Sequence, residues 1–418
     1  MATPEQILIS CKTCDTTHPQ IPLKHGQQAN CRLCGTELYR QVDNSLQRVI
    51  AFSSTSIILF LLSQYFSFLH FQIAERHSSI TLFDTTFKLV KLGYWEIAIM
   101  VFTTSILIPF LVMLGMFYIA VNAEFKLQLP ANNQILRLIK RLYPWSLIGV
   151  FMLGVLVAIV KLMDLATVIP GPSLFLLAGL LITMIAANAS LDERLCWYWP
   201  EKNNFKNPES STKNSLISCK SCHLVVGLEQ EYQPCPRCNA QLQTRQPDSI
   251  GTTWALLLTA AIFYIPANLF PIMTVTKLAS GEPDTIYSGV IKLIENELWG
   301  LALLVFFASI VVPSIKLLSM AFLLISTQKK STWRPLERTR LFHFNEIIGA
   351  WSMLDIYLIA ILVSLVRMDM LVSIDAGPGA GFFGAVVIFT LFAAHSFDPR
   401  LIWDSCYQIE RDEINSNG

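Results

Sequence analysis

The chain has 418 residues, of which 53% are hydrophobic and 15% charged, and its formal net charge is +1. That apolar content is too high for an ordinary soluble domain, and the near-neutral charge supplies no basic field for a nucleic-acid partner. With a mean hydropathy of +0.48, and windows approaching or exceeding the ~20 apolar residues that cross a ~30 Å hydrocarbon layer, the composition places the chain in a membrane.

The first predicted element is polar and cysteine-bearing, with no basic stretch and short apolar core, so it does not read as a cleaved signal peptide and insertion falls to internal helices. Cys11, Cys14, Cys31 and Cys34 are arranged as CxxC, sixteen residues, CxxC. Four thiolates at this spacing suit tetrahedral zinc at ~2.3 Å per ligand; iron shares the ligand set as the lesser option. A redox dithiol lacks the strand-and-helix frame of thioredoxin-type sites. The segment is too short to bury a core, so metal binding is expected to supply most of its folding energy. All four ligands are protein thiols, which implies a structural metal and no metal catalysis. Gly35 after the last cysteine fits a left-handed turn, as does Asn239 in the second such segment.

Apolar windows follow at about 49–69, 97–121, 146–168 and 173–190 and predict four membrane helices. Between the second and third, Ile135, Leu136, Leu138, Ile139 and Leu142 alternate with Arg137, Lys140 and Arg141 at helical spacing. This is either a helix lying on the membrane surface or an extension of the third span. Pro170-Gly171-Pro172 makes a tight connection, too short for a domain, into the fourth.

A second copy then begins. Cys219, Cys222, Cys235 and Cys238 form CxxC, twelve residues, CxxC, and windows at about 252–273, 300–326, 347–368 and 380–397 predict four more helices. At an offset of 204 to 208 residues, Ser45 falls on Ser249, Thr81 on Thr285, Trp95 on Trp299, Ser105 and Pro109 on Ser309 and Pro313, Trp145-Ser146 on Trp351-Ser352, and Asp192 on Asp398. Four spans per copy give both copies the same orientation, a parallel repeat. The fold class is therefore mainly α: two tandem units, each a zinc-ribbon-like module plus a four-helix transmembrane bundle. The boundaries expected are 1–44 and 201–247 for the modules, 45–200 and 248–405 for the bundles, and 406–418 for a polar tail. Cys196 and Cys406 stand alone and are expected to be inert.

Lys126, Arg137, Lys140 and Arg141, and their counterparts Lys329, Lys330, Arg334, Arg338 and Arg340, make one side basic, while Asp84, Glu282, Asp284, Glu295 and Glu297 lie on the other. The basic side is read as cytosolic, with both cysteine modules and both termini.

Ionisable residues inside spans point to function. Lys316 is expected about 15 Å deep in the sixth helix and Asp355 about 12 Å deep in the seventh, at one level and able to pair. Ser352 shares a face with Asp355, Ser309 lies further outward on the face of Lys316, and Thr390 on the eighth helix falls at a similar depth. The first copy has Val112, Gly149 and Met184 at the positions of Lys316, Asp355 and Thr390, so coupling chemistry is expected in the second. The competing reading is a snorkelling lysine in a structural ion pair. Lys161 with Asp164 and Arg367 with Asp369 read as anchors at headgroup level. Pro266 and Pro271 bracket Asn268, and either unwind the fifth helix around a cavity or end it. No nucleotide, metalloprotease or nucleophile-elbow motif occurs, so no enzyme is expected.

YIPANLFPI from Tyr264, SIVVPSIKLL from Ser309, WSMLDIYLIA from Trp351 and FDPRLIWD from Phe397, with the paired CxxC modules, resemble the paraquat-inducible protein A family, which includes the LetA-type proteins. The resemblance covers nearly the whole chain. It implies a cell inner-membrane protein that works with a periplasmic MCE-domain tunnel partner to move phospholipid and maintain the envelope, with Lys316, Asp355, Ser309, Ser352 and Thr390 as coupling residues. Where the second copy has Pro266, Asn268 and Pro271, the first has Leu62, Gln64 and Ser67. Two other classes remain open: a scaffold or redox or metal stress sensor, and an ion-coupled exporter of small toxic compounds.

Overall fold

The computed structural model describes residues 8–73, 76–127, 129, 131–163, 167–198, 216–277, 280–365, 367–368 and 372–406. In the first copy, hairpins β1 (Leu8–Ser10) with β2 (Thr17–Pro19) and β3 (Gln28–Asn30) with β4 (Glu37–Arg40) carry the first four cysteines. Helix α1 (Ser45–Tyr65) leads into hairpin β5 (Leu69–Ile73) and β6 (Arg76–Ile80), then α2 (Leu82–Lys91), α3 (Trp95–Phe102), α4 (Ile108–Glu124), α5 (Asn132–Leu142), α6 (Ile148–Met163), β7 (Thr167–Pro170), α7 (Pro172–Ser190) and α8 (Glu193–Tyr198). The second copy repeats the plan with β8 (Leu216–Ser218), β9 (Val225–Gly227), α9 (Ser249–Leu269), β10 (Met273–Lys277), β11 (Ser280–Asp284), α10 (Ile286–Glu295), α11 (Trp299–Phe306), α12 (Val312–Gln328), α13 (Pro335–Gly349), α14 (Leu354–Leu365), β12 (Arg367–Met368), β13 (Val372–Ala376) and α15 (Pro378–Ser396). Among the described residues, eight helical stretches are long and apolar enough to cross a membrane.

Paired residues of the repeat do the same work in each copy. Ser45 donates to the Ser190 carbonyl at 2.6 Å and accepts from the Asp192 amide at 3.0 Å, tying the start of α1 to the end of α7. Ser249 ties α9 to α15 through the Ser396 carbonyl at 2.7 Å and the Asp398 amide at 2.9 Å. Thr81 and Thr285 cap α2 and α10 with reciprocal boxes to Asp84 and Ser288, satisfying amides that a helix start leaves orphaned. Pro109 and Pro313 have no amide hydrogen to give the helix they sit in. Each is accommodated by a wide π-turn just before it, Thr103–Leu107 and Phe307–Val311, in which the Ile108 and Val312 amides reach back to Thr103 and Phe307.

The connections expected as simple turns contain strands. β6, β5 and β7 form one antiparallel sheet, and β11, β10, β13 and β12 another, both at the end of the molecule opposite the cysteine modules. Each sheet joins a hairpin after the first span to a strand before the fourth, a pairing over about a hundred residues that local sequence does not announce. Gly171 and Gly377 close these sheets: a Cβ on either would lie 2.2 Å from the Ser67 or Pro271 carbonyl oxygen.

Of the two readings for the basic amphipathic segment, the extension of the third span is the one that forms. Asn122 meets Asn132 at 3.2 Å and Ile139 fills the space above Gly115, so α5 runs antiparallel along α4 before leading through Tyr143–Trp145 into α6. Helix α9 passes through Pro266 unbroken and ends at Leu269 with Phe270 extended. Pro271 therefore follows a span end, and no unwound cavity segment forms.

The two bundles interlock. Helix α14 is buried against α6, α2 and α3 of the first copy, and Gly154 lets α6 approach until a Cβ there would sit 3.0 Å from the Tyr357 Cβ. The cysteine modules also exchange places. Cys11, Cys14 and Cys31 pack with Leu257, Met320, Leu323, Phe342 and Trp403 of the second copy, whereas the second module sits on α5 of the first, where Asn133 donates to the Arg237 carbonyl at 2.6 Å and Lys140 to that of Ser221 at 3.2 Å.

Candidate functional site

Four CxxC pairs make the same turn. The first cysteine amide bonds the carbonyl five residues on, and the residue after the second cysteine bonds back to the first: Asp15 to Cys11, Gly35 to Cys31, His223 to Cys219 and Asn239 to Cys235, at 2.8 to 2.9 Å. All four of these residues have positive φ, between 57° and 74°. The turn was legible at Gly35 and Asn239; Asp15 and His223 adopt it as well. The turns converge the sulfurs in two groups of four, each within 4.8 Å. Sγ separations of 3.4 Å for Cys11 and Cys34, 3.5 Å for Cys14 and Cys31, 3.5 Å for Cys219 and Cys238, and 3.6 Å for Cys222 and Cys235 are too long for disulfides at ~2.05 Å and close to the ~3.8 Å edge of a tetrahedron with ~2.3 Å metal–sulfur bonds. His18 Nε2 lies 3.2 Å from the Cys31 sulfur. Both clusters can hold a metal ion.

Asp15, placed by the turn after Cys14, joins the modules to the second bundle. It accepts from Ser218 at 2.8 Å and from Arg245 at 2.7 Å, and Arg245 also grips Asp404 with a shortest contact of 2.6 Å. Burial works against the Arg245 charge, and the Asp404 and Asp15 carboxylates overcome it, holding the guanidinium above its usual range. Next to it, burial would raise Asp398, but Arg400 at 2.9 Å holds that carboxyl below its ordinary value.

In the second bundle the polar residues singled out by sequence are buried: Lys316 is 1% exposed and Asp355 5%. Lys316 and Thr390 come together, with the ammonium donating to Thr390 Oγ1 at 2.9 Å. Asp355, the residue expected to pair with Lys316, is buried on the next helical segment. The seventh span is one helical run in which α13 (to Gly349) passes through a single tight turn at Ala350–Met353 into α14. The Lys316 ammonium lies 3.7 Å from where a Gly349 Cβ would be, just before that turn, and Asp355 follows just after it.

Ser309, in the π-turn, and Ser352, in the tight turn, are buried with hydroxyls that find no hydrogen-bond partner among the described residues, and their two segments pack together. Asn268 stands apart, donating to the Tyr264 carbonyl of its own helix at 2.8 Å. Ser319 and Asn345, bonded at 2.7 Å one turn from Lys316, were not foreseen. Their repeat partners are Gly115 and Ile139, which pack as an apolar pair, so the same comparison of copies that exposes Lys316 exposes them. The side chains of Lys161 and Arg367, and Asp164 and Asp369 altogether, lie outside the described residues.

A family model described as paraquat-inducible protein A matches residues 46–201 and 250–407. The chain is 33% identical to Intermembrane transport protein PqiA of Escherichia coli (strain K12) over 97% of each chain. It is 29% identical to Lipophilic envelope-spanning tunnel protein A of the same strain, over 94% of this chain and 91% of that one. It is 28% identical to a Probable intermembrane transport protein of Haemophilus influenzae, over 96% and 97%. No solved structure matches.

Proposed function

The chain belongs to the paraquat-inducible protein A family, a multi-pass membrane protein family with transport proteins among its members, and from that premise we propose that it is the inner-membrane component of an intermembrane phospholipid transport system. Its partner in this reading is a periplasmic tunnel of MCE domains, and the pathway maintains the envelope. Both cysteine modules and both termini face the cytosol, because the Lys- and Arg-rich connections lie at the module end. Each module holds one structural zinc, and no enzymatic step is involved. The units of this reading are the modules at 1–44 and 201–247, the bundles at 45–200 and 248–405, and the tail at 406–418.

The observation that carries the proposal is the asymmetry of the repeat around the buried Lys316. A buried amine bonded to a hydroxyl at 2.9 Å can exist with or without its proton, because desolvating an ion costs several kcal/mol. Lys316, Asp355, Ser309, Ser352 and Thr390 are the coupling residues: protonation changes at Lys316 and Asp355 alter the charge on either side of the tight turn Ala350–Met353 and so bias how the seventh span packs. Asn268 marks the outer end of α9 at the mouth of the same bundle. The first copy, with Val112, Gly149 and Met184 at these positions, is the fixed partner against which the second moves.

The test is lipid transfer by the full chain reconstituted with its tunnel partner. Lys316→Met and Asp355→Asn should each abolish transfer with the protein still folded in detergent. Wild-type transfer in both variants refutes the coupling role.

A further inference from the structure

Between Lys316 and the water at the module end stands a set of titratable side chains that the coupling site itself does not use. Helices α13 and α15 run antiparallel, and Leu391 Cδ2 lies 3.0 Å from the Cβ position of Gly349. That contact fixes their register: one turn nearer the modules, His395 on α15 comes opposite Asn345 and Glu346 on α13. Glu346 accepts from His343 Nδ1 at 3.4 Å, and these two side chains are 48% and 37% exposed. Trp145 of the first copy stacks on the His395 ring at 5.9 Å between centroids with planes 26° apart, and meets Phe392 at 5.0 Å with planes tilted by 47°. The charged groups facing His395 are Glu346, Lys220 of the second module and Lys316; those facing Glu346 are His343, His395 and Lys12 of the first module.

The other copy supplies a control. Arg137, Lys140 and Ala189 occupy the positions of His343, Glu346 and His395, where Val112 replaces Lys316. At these three positions the two histidines and the carboxylate are present only in the copy that has a buried amine to serve.

We propose that His395, with Glu346 and His343 at its rim, is the proton entrance to Lys316 from the module side. It rests on the coupling role given to Lys316 above. The imidazole takes a proton from water, Glu346 stabilises the imidazolium, and the proton passes to the neutral Lys316 amine, leaving the ring neutral for the next. Trp145 is a positioning residue that keeps the ring oriented and ties the entrance to the first bundle.

The full chain is reconstituted in liposomes enclosing a pH-sensitive dye, and lumenal acidification is followed after an external acid pulse. Wild type should acidify the lumen and Lys316→Met should not. His395→Ala should slow uptake about tenfold or more, the scale of a lost general acid–base group, and added imidazole should restore it, which repacking of a merely structural residue does not allow. Glu346→Gln should move the half-maximal pH of uptake toward acid. Wild-type rate and profile in both His395→Ala and Glu346→Gln, with Lys316→Met still blocked, overturn the entrance and leave the coupling role standing. Lysine-independent flux, or none in wild type, overturns both.

Discussion

Tyr357 and Thr104 share a hydrogen bond of 2.7 Å between side chains that belong to opposite copies of the repeat. The Thr104 hydroxyl also donates to the Met100 carbonyl of its own helix at 2.7 Å, in the π-turn region that Pro109 imposes. Ser105 faces the same phenol. The wide turn thus presents hydroxyls across the interface to a fully buried ring on α14.

Tyr357→Phe is expected to cost about 1 kcal/mol, one neutral hydrogen bond with the threonine still partnered. Tyr357→Ala is expected to cost about 3 to 5 kcal/mol by opening a cavity between the bundles. Equilibrium unfolding in detergent measures both. A penalty for Tyr357→Phe as large as that for Tyr357→Ala would show that the phenol oxygen, and not the ring, holds the halves together.

Lys316→Met should separate stability from activity. Replacing a buried ammonium by a side chain of similar volume removes a desolvation cost, so the melting temperature should hold or rise while transfer is lost. Thr390→Val, which strips the ammonium of its acceptor at 2.9 Å, should lower the melting temperature of wild type but leave that of Lys316→Met almost unchanged. Additive losses in the double variant would contradict the contact.

Arg245→Ala should free the first module from the second bundle. The guanidinium bridges Asp15 and Asp404 at 2.7 and 2.6 Å with a quarter of its side chain exposed, and charge-assisted bonds of this kind contribute about 1.5 to 3 kcal/mol each. Limited proteolysis should cut within residues 8–44 of the variant much faster than in wild type, with the membrane helices still protected. Equal cutting rates would show that Cys11, Cys14 and Cys31 are held by apolar packing alone.

Metal analysis of the purified protein should find two zinc ions per chain, and one after Cys219→Ser with Cys222→Ser. Because these modules have little core of their own, chelation should unfold them. Iron in place of zinc would correct the identity without moving the ligands.

Acid should selectively weaken the module end through Asp398. Its folded-state carboxyl is held below the ordinary value of 3.8, so the stability it contributes is present above that value and is lost as pH falls through the folded one. Asp398→Asn, which leaves the buried Arg400 only the longer contact to Asp15 at 3.8 Å, should therefore be less stable than wild type at neutral pH by about 3 kcal/mol. The gap should close below pH 4; a gap unchanged down to pH 3 would mean that the pairing is not electrostatic.

The repeat, the eight spans and the two cysteine sets were legible because each is written locally, as apolar runs, CxxC spacing or residues recurring at one offset. What escaped the reading is non-local or belongs to backbone geometry. Strands β5 and β10 blended into the ends of the preceding apolar windows, and their pairing with β7 and β13 depends on segments about a hundred residues away. Pro109 and Pro313 were visible as matched residues, but nothing in side-chain pattern distinguishes a π-turn from a kink. Lys316 and Asp355 were singled out as buried charges at similar depth, but the tight turn Ala350–Met353 that lies between the Lys316 contact at Gly349 and Asp355 carries only a weak mark in sequence. Burial alone identified the groups, and partner choice required the fold.

The exchanged seating of the two cysteine modules constrains how the polypeptide can be made. The first module leaves the ribosome some two hundred residues or more before α9, α12 and α13, on which it rests, have been synthesised, so it must wait undocked until the later half inserts. A gene split after Tyr198 should yield two fragments that are each incomplete alone and recover a native assembly only when expressed together.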